Sequence, residues 1–185
     1  MTTHNVRYYK DAFPLDGAFI DTMFCQEPNR QFETGSFTNC TFVNCTFMGH
    51  LMDYKFTNCA FTGCDFSQVT WNVARWESCT WDDATRGIPT MAEERARLTA
   101  VVREIDAEPV LFDMSKWNTK TYCGMAHCIG GWLMHLFPHV PFTHSDDNNV
   151  FLFHNRSFSL APNASAYFYE SDAEALAWLS QFRNG

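Results

Sequence analysis

Cys123, His127, Cys128 and His135 are the residues whose types and spacing could do chemistry. A helix over residues 125–136, stopped by Pro138, is expected here. It would put Cys123 and His127 on one face, and Cys128 and His135 on another. Zinc takes three or four nitrogen or sulfur ligands in a tetrahedron, usually from two separated pairs. This single compact cluster has no Cys-x-x-Cys partner, and His139, His144 or His154 would have to complete it. A Cys–His nucleophilic pair would also need an orienting third group and an oxyanion site, and neither is identifiable. The favoured reading is a small thiol and a hydrogen-bonded imidazole on a tightly crossing helix, with Gly124, Gly130 and Gly131 allowing close approach. No catalytic residue, cofactor or metal is therefore expected, with the four Cys and His residues as minor zinc candidates.

Other chemical signatures are weaker. Asp146-Asp147-Asn148-Asn149 lacks the central Gly and terminal Glu of a calcium loop and reads as a turn. The chain has no Gly-rich phosphate loop, paired-carboxylate motif or basic nucleic-acid stripe.

Five further thiols follow a different rule. Thr38-Asn39-Cys40-Thr41-Phe42, Val43-Asn44-Cys45-Thr46-Phe47, Thr57-Asn58-Cys59-Ala60-Phe61, Thr62-Gly63-Cys64-Asp65-Phe66 and Glu77-Ser78-Cys79-Thr80-Trp81 share one pattern. A small residue stands two places before a large apolar one, among Thr, Asn, Ser and charges. Large residues recur at Phe32, Phe37, Phe42 and Phe47, lose one residue, then resume at Leu51, Phe56, Phe61, Phe66, Trp71, Trp76 and Trp81. Neither a helix at 3.6 nor a strand at 2 has this period. A wall that turns a corner every five residues does.

These residues resemble the pentapeptide-repeat proteins. The resemblance covers residues 32–85, with a weaker piece at 17–24, and implies a short right-handed, four-sided β-helix with four pentapeptides per coil. Positions 19 or 20 apart should then stack: Cys40 with Cys59 and Cys79, Cys45 with Cys64, Phe42 with Phe61 and Trp81, Phe37 with Phe56 and Trp76, Phe32 with Leu51 and Trp71. Phe47 and Phe66 occupy the same central position. A bulge or tightened corner is expected near Met48 and Gly49. The indoles of Trp71, Trp76 and Trp81 are too large for a uniform column, so a domain junction is expected there, with an aromatic cage as the alternative.

The flanks divide the chain into three segments. Residues 1–31 form a cap with two early repeats, Gly17-Ala18-Phe19 and Thr22-Met23-Phe24, interrupted after them by a loop at Gln26-Glu27-Pro28-Asn29. Residues 32–85 are the β-helix. Residues 86–185 form a small α-helical domain capping its open end. There, Thr90 and Glu93 open a helix to about Asp106 with Leu98, Val101, Val102 and Ile105 as its buried stripe. Glu93, Glu94, Arg95, Arg97, Arg103 and Glu104 are expected on its solvated faces. Ser171 and Glu174 open a last helix to about Phe182. The Cys123–Trp132 stretch looks like a Cys-Gly-Thr-x-His-Cys-x-Ala-Gly-Trp signature of bacterial and phage proteins without assigned function.

Charge and thiols bound the partners. The net charge of −8 is spread along the chain, with two basic and six acidic residues in 32–85. Phosphate neutralisation needs Lys and Arg, so direct nucleic-acid binding is not expected. Residues 1–10 have no apolar signal segment, and no apolar run reaches membrane-spanning length. Thiols used as small core residues fit a reducing cytoplasm. The resemblance implies a non-enzymatic protein-binding module or inhibitor, acting on a DNA-binding enzyme or a defence complex, with partial DNA mimicry as one mode and homodimers as one assembly. A zinc-binding or Cys/His-dependent enzyme and an architectural scaffold are the alternatives.

Overall fold

The computed structural model describes residues 5–6, 17–20, 23–25, 36–52, 54–72, 74–115, 118–121, 124–140 and 156–183. The chain divides into two compact units, Met1–Met91 and Ala92–Gly185. The first is built of parallel strands and the second mixes helices with an antiparallel hairpin.

Eleven short strands are described in the first unit: β1 (Asn5–Val6), β2 (Gly17–Ile20), β3 (Met23–Cys25), β4 (Ser36–Thr38), β5 (Cys40–Val43), β6 (Thr46–Met52), β7 (Lys55–Thr57), β8 (Ala60–Thr62), β9 (Asp65–Asn72), β10 (Arg75–Glu77) and β11 (Thr80–Trp81). They form three sheets with orders β1-β3-β6-β9, β4-β7-β10 and β2-β5-β8-β11, and the described pairings are parallel. Phe37 pairs with Phe56 and Phe56 with Trp76; Phe42 pairs with Phe61 and Phe61 with Trp81. Leu51 pairs with Trp71. The chain thus returns to each sheet after 19 or 20 residues. Two earlier returns differ: Val6 pairs with Phe24, 18 residues on, and Phe19 pairs with Phe42 and Phe24 with Phe47, each 23 residues on. The excess of four equals the Gln26–Asn29 interruption, which lies outside the described residues, as does Phe32.

The core explains the period. Phe42, Phe47, Phe56, Phe61 and Phe66 are buried, and so are Cys40, Cys45, Cys59, Cys64 and Cys79. Rings one return apart stack nearly parallel: Phe37 on Phe56 at 5.0 Å, Phe42 on Phe61 at 4.9 Å, Phe47 on Phe66 at 4.5 Å. Rings from different sheets meet edge to face, as in Phe42–Phe47 at 5.6 Å and Phe61–Phe66 at 5.3 Å. The sheets therefore enclose one aromatic shaft. Each buried ring contributes roughly 1.5–3 kcal/mol, and each pairing about 0.5–1.5 kcal/mol more.

The thiols have a second task. Cys45 Sγ donates to the Phe19 carbonyl at 3.3 Å, Cys59 to Phe37 at 3.5 Å, Cys64 to Phe42 at 3.5 Å and Cys79 to Phe56 at 3.3 Å. Each thiol thus ties its own turn of chain to the preceding one. Burial pushes the Cys79 thiol up, and a hydrogen bond with Cys45 followed by burial does the same to Cys64. Cys64 and Cys79 are thereby inert core thiols, whereas the hydrogen bond with Cys79 holds the Cys59 thiol below its usual value.

The corner before each thiol is left-handed. Asn39 (φ 55°), Asn44 (52°), Asn58 (52°), Gly63 (60°) and Ser78 (53°) precede Cys40, Cys45, Cys59, Cys64 and Cys79. Asn tolerates this region and Gly enters it freely, which accounts for the Asn and Gly at this position. The register between β6 and β9 shifts between Thr46 and Met48, from an offset of 19 to one of 20, beside Gly49 (φ 85°).

The tryptophans do not continue the parallel stacks. Trp76 is tilted 58° to Phe56 below it and stacks instead on Phe61 at 4.6 Å. Lying across the shaft gives the larger ring its room. Trp71 and Trp81 meet it edge to face, and Trp81 Nε1 donates to the Pro89 carbonyl at 2.6 Å. The strand unit accordingly runs past the expected boundary at 85. Asp82 Oδ1 accepts from the Gly63 and Thr85 amides and the Thr85 hydroxyl, and Arg86 forms a parallel bridge to Asp65.

The second unit departs from the expected all-helical domain. Helix α1 (Met91–Ala107) is followed by an antiparallel hairpin of β12 (Asn118–Thr121) and β13 (Gly124–His127), then α2 (Ile129–Leu136), a helical turn at 156–160, a 3-10 helix (Pro162–Tyr167) and α3 (Asp172–Leu179), which tightens to 3-10 through Phe182. Leu98, Val101, Ile129, Leu133, Leu160 and Leu179 lie in its core. The Ser171–Glu174 capping box forms as the sequence predicts. The single helix expected over 125–136 does not form. Its first part pairs with Asn118–Thr121 as a strand, because a short apolar run satisfies either period and Thr-rich pairing decides.

Two substitutions test this account. Asn58→Val forces a β-branched residue into the left-handed corner and is expected to cost about 1–2 kcal/mol in denaturant unfolding, while Asn58→Gly recovers most of it. A Cβ on Gly87 (φ 84°) would sit 2.3 Å from the Phe66 and Ser67 backbone, so Gly87→Ala should cost at least ~2 kcal/mol by the same measurement.

Candidate functional site

Of the four minor zinc candidates, Cys128 and His135 are the two whose side chains are described. Cys123 lies outside the described residues, as do His144, His154 and the Asp146–Asn149 turn. His127 ends strand β13, while Cys128 is the N-cap of α2 and is buried. The Cys128 sulfur accepts the Gly131 amide at 3.4 Å, and burial raises its thiol. His135 sits near the other end of that helix, about 10 Å along the axis, and is exposed. Cys128 and His135 therefore do not converge. Among the described residues no set of three His, Cys, Asp or Glu side chains is placed to hold a metal ion. Ser157 Oγ donates to the Gly130 carbonyl at 3.4 Å, and Gly130 and Gly131 are both buried.

The structural residues of the sequence pattern point inward. The surface available for recognition is the outer side of the parallel sheets, where register aligns one residue per strand. On β4-β7-β10, Ser36 aligns with Lys55 and Arg75, and Thr38 with Thr57 and Glu77. On β2-β5-β8-β11, Ala18 aligns with Thr41, Ala60 and Thr80, and Ile20 with Val43 and Thr62. On the third sheet, Thr46 aligns with Asp65 and Met48 with Gln68. Strand pairing fixes these columns at roughly 4.8 Å steps.

Charge on this surface is sparse and mixed. Lys55, Arg75 and Arg86 stand against Asp65, Glu77, Asp82 and Asp83 among the described residues. Asp65 accepts from the Ser67 hydroxyl and amide and pairs with Arg86 at 3.0 Å; the bonds from Ser67 and then the Arg86 charge hold its carboxyl below the usual range. Asp82 is held low chiefly by the Gly63 amide and the Thr85 hydroxyl. The acids that would imitate a phosphate row are thus few, and two of them are engaged by the fold.

One titratable group in the second unit contradicts the sequence reading. Glu94, expected on a solvated face, is buried. Its carboxylate accepts the Asn163 amide at 2.7 Å and Asn163 Nδ2 at 3.1 Å, clasping α1 to the start of the 3-10 helix. Arg97, one turn on, donates to the Leu160 carbonyl at 3.0 Å. Residues 94, 98, 101 and 105 fall on one helical stripe, and that spacing was the available signal.

No protein-family model, curated protein or solved structure matches the chain. No helix among the described residues is long and apolar enough to cross a membrane.

Burial pushes the Glu94 carboxyl up to about 7, against the opposing effect of the Asn163 bonds and the Arg97 charge. The folded protein therefore holds this proton to higher pH than the unfolded chain, whose carboxyl titrates near 4.3. The resulting stabilisation is complete below that value and is lost as pH rises through 7. Glu94→Gln should flatten this fall: between pH 5 and pH 8 the wild type is expected to lose about 2–3 kcal/mol more than the variant in chemical denaturation.

Proposed function

We propose that the first unit is a short right-handed, four-sided β-helix of the pentapeptide-repeat kind, and that the protein is a non-enzymatic protein-binding module. The length of β6 and β9 supports four sides: each is long enough to carry two central positions, Phe47 with Leu51 and Phe66 with Trp71. One observation carries the functional reading: outward side chains held in register by a stacked aromatic core. Such a surface is ordered before it meets a partner, so little conformational entropy is lost on binding. Thr and Asn dominate it, and charges are mixed. Hydrogen bonding to a folded protein fits these groups better than extended DNA mimicry, which needs a dense acidic row.

The resemblance to pentapeptide repeats points to a nucleic-acid-handling enzyme or a defence complex as the partner, in a reducing, cytoplasmic setting where the buried thiols stay free. The test is direct. Purified protein, added in stoichiometric and then excess amounts, is expected to inhibit or protect a bacterial DNA topoisomerase or nuclease, with an effect that survives moderate salt because it rests on neutral contacts. An unchanged activity in both assays, together with no complex in sedimentation, would remove the reading.

A further inference from the structure

Helix α1 grips the chain that follows α2 at two polar points. Glu94 is 4% exposed, and its two carboxylate oxygens are divided between the Asn163 amide and Asn163 Nδ2. Arg97 stands three residues on, on the same side of α1. Its guanidinium donates to the Leu160 carbonyl at 3.0 Å and lies 6.0 Å from the centroid of the Phe137 ring, at the C-cap of α2. The stretch so held offers only small buried side chains. Between Leu160 and Phe168 they are Ala161, Pro162, Ala164 and Ser165. Small side chains bury little apolar area, so the polar bonds carry a large share of this contact.

Few charges surround the Glu94 carboxyl. On α1, Arg97 is the cation that acts on it, and exposed Glu93 acts on Arg97 in turn. The 3-10 helix Pro162–Tyr167 has Tyr167 as its titratable side chain, and that ring stacks on Trp178 at 4.4 Å. Arg156, the charge of the 156–160 turn, donates to the Pro138 carbonyl. Helix α2 carries His135, which is exposed.

We infer that Glu94 and Arg97 form a pH-sensitive latch: ionisation of Glu94 draws Arg97 from the Leu160 carbonyl to the carboxylate and frees the 3-10 helix Pro162–Tyr167 from α1. A carbonyl is a neutral acceptor, whereas a carboxylate accepts charge-assisted bonds roughly twice as strong. While Glu94 keeps its proton that competitor is absent, and Arg97 stays on Leu160. Once formed, the buried anion also gains hydration when the small-residue segment lifts away. Burial holds this carboxyl up to about 7, so the latch is closed in mild acid and opens as pH rises through that value. The pH dependence of stability then begins as a local opening, with α1 and α3 still intact. The device lies wholly in the second unit and does not rest on the binding surface of the first.

Hydrogen exchange of the full chain, read by mass spectrometry in steps from about pH 6 to about pH 9 and corrected for the intrinsic effect of pH, tests the latch. Peptides covering 160–167 are expected to lose protection at least ~10-fold more than peptides from α1 or α3 over this range. Glu94→Gln should keep the 160–167 protection constant. Arg97→Gln removes the cation that favours the carboxylate, so its opening should move to higher pH than in the wild type. Uniform loss of protection across the second unit overturns the inference, because that is unfolding of the whole. So does constant protection at 160–167 in the wild type, an equal opening in Glu94→Gln, or an unmoved midpoint in Arg97→Gln.

Discussion

Ring stacking and backbone pairing share one spacing in this molecule. Parallel strands pair roughly 4.8 Å apart, and that is also a comfortable separation for parallel aromatic rings. The Phe37–Phe56, Phe42–Phe61 and Phe47–Phe66 stacks, at 4.5–5.0 Å, are therefore made without bending either the strands or the side chains. Every other feature of the strand unit follows from keeping that match. The small inward position must be narrow enough to leave the shaft to the rings, and a thiol is narrow enough while still bonding to the carbonyl of the preceding turn. The corner must reverse direction in one residue, hence the left-handed Asn, Gly and Ser. Where a larger ring enters, at Trp76, the match fails locally and the indole turns across the shaft.

This is why so much of the strand unit could be read before any coordinates. A repeat of five is imposed by geometry acting at each position, so five agreeing cysteines and a column of Phe residues report the same constraint many times. The 19- and 20-residue returns and the register shift beside Met48 sit where counting places them, while the 23-residue step from Phe19 to Phe42 lies outside that count. The left-handed corners were equally visible as Asn-Cys and Gly-Cys pairs, although their conformation was not drawn from them. What counting could not supply was the end of the unit. Asp82, Thr85 and Gly87 act through contacts with the Gly63 amide, the Cys64 amide and the Phe66–Ser67 backbone respectively, and a contact made once leaves no period behind.

The second unit was less legible for the same reason. Its elements are specified by single partners. Residues 124–128 were continuous with an apolar helix until Asn118–Thr121 paired with them, and Cys128 became a cap instead of a ligand. Glu94 was assigned to solvent by its charge, although its spacing from Leu98, Val101 and Ile105 put it on the buried stripe. Residue type outweighed position in that reading, and position was right. The carboxylate is tolerated there because two donors from Asn163 and the nearby Arg97 offset part of the desolvation.

Rigidity and neutrality of the strand unit then have one origin. A wall of paired parallel strands holds its side chains in register, so like charges aligned on successive strands face each other at strand spacing with little freedom to move apart. Uncharged Thr and Asn columns avoid that repulsion on β2-β5-β8-β11, whereas Lys55 and Arg75 do align on β7 and β10, and Asp65 is answered locally by Arg86. The same aligned hydroxyls and amides are what a partner meets. A surface chosen to be stable against itself along the strand direction is thereby also ordered, flat and able both to donate and to accept hydrogen bonds. If the proposed function holds, recognition through it would depend on shape and hydrogen-bond pattern more than on charge.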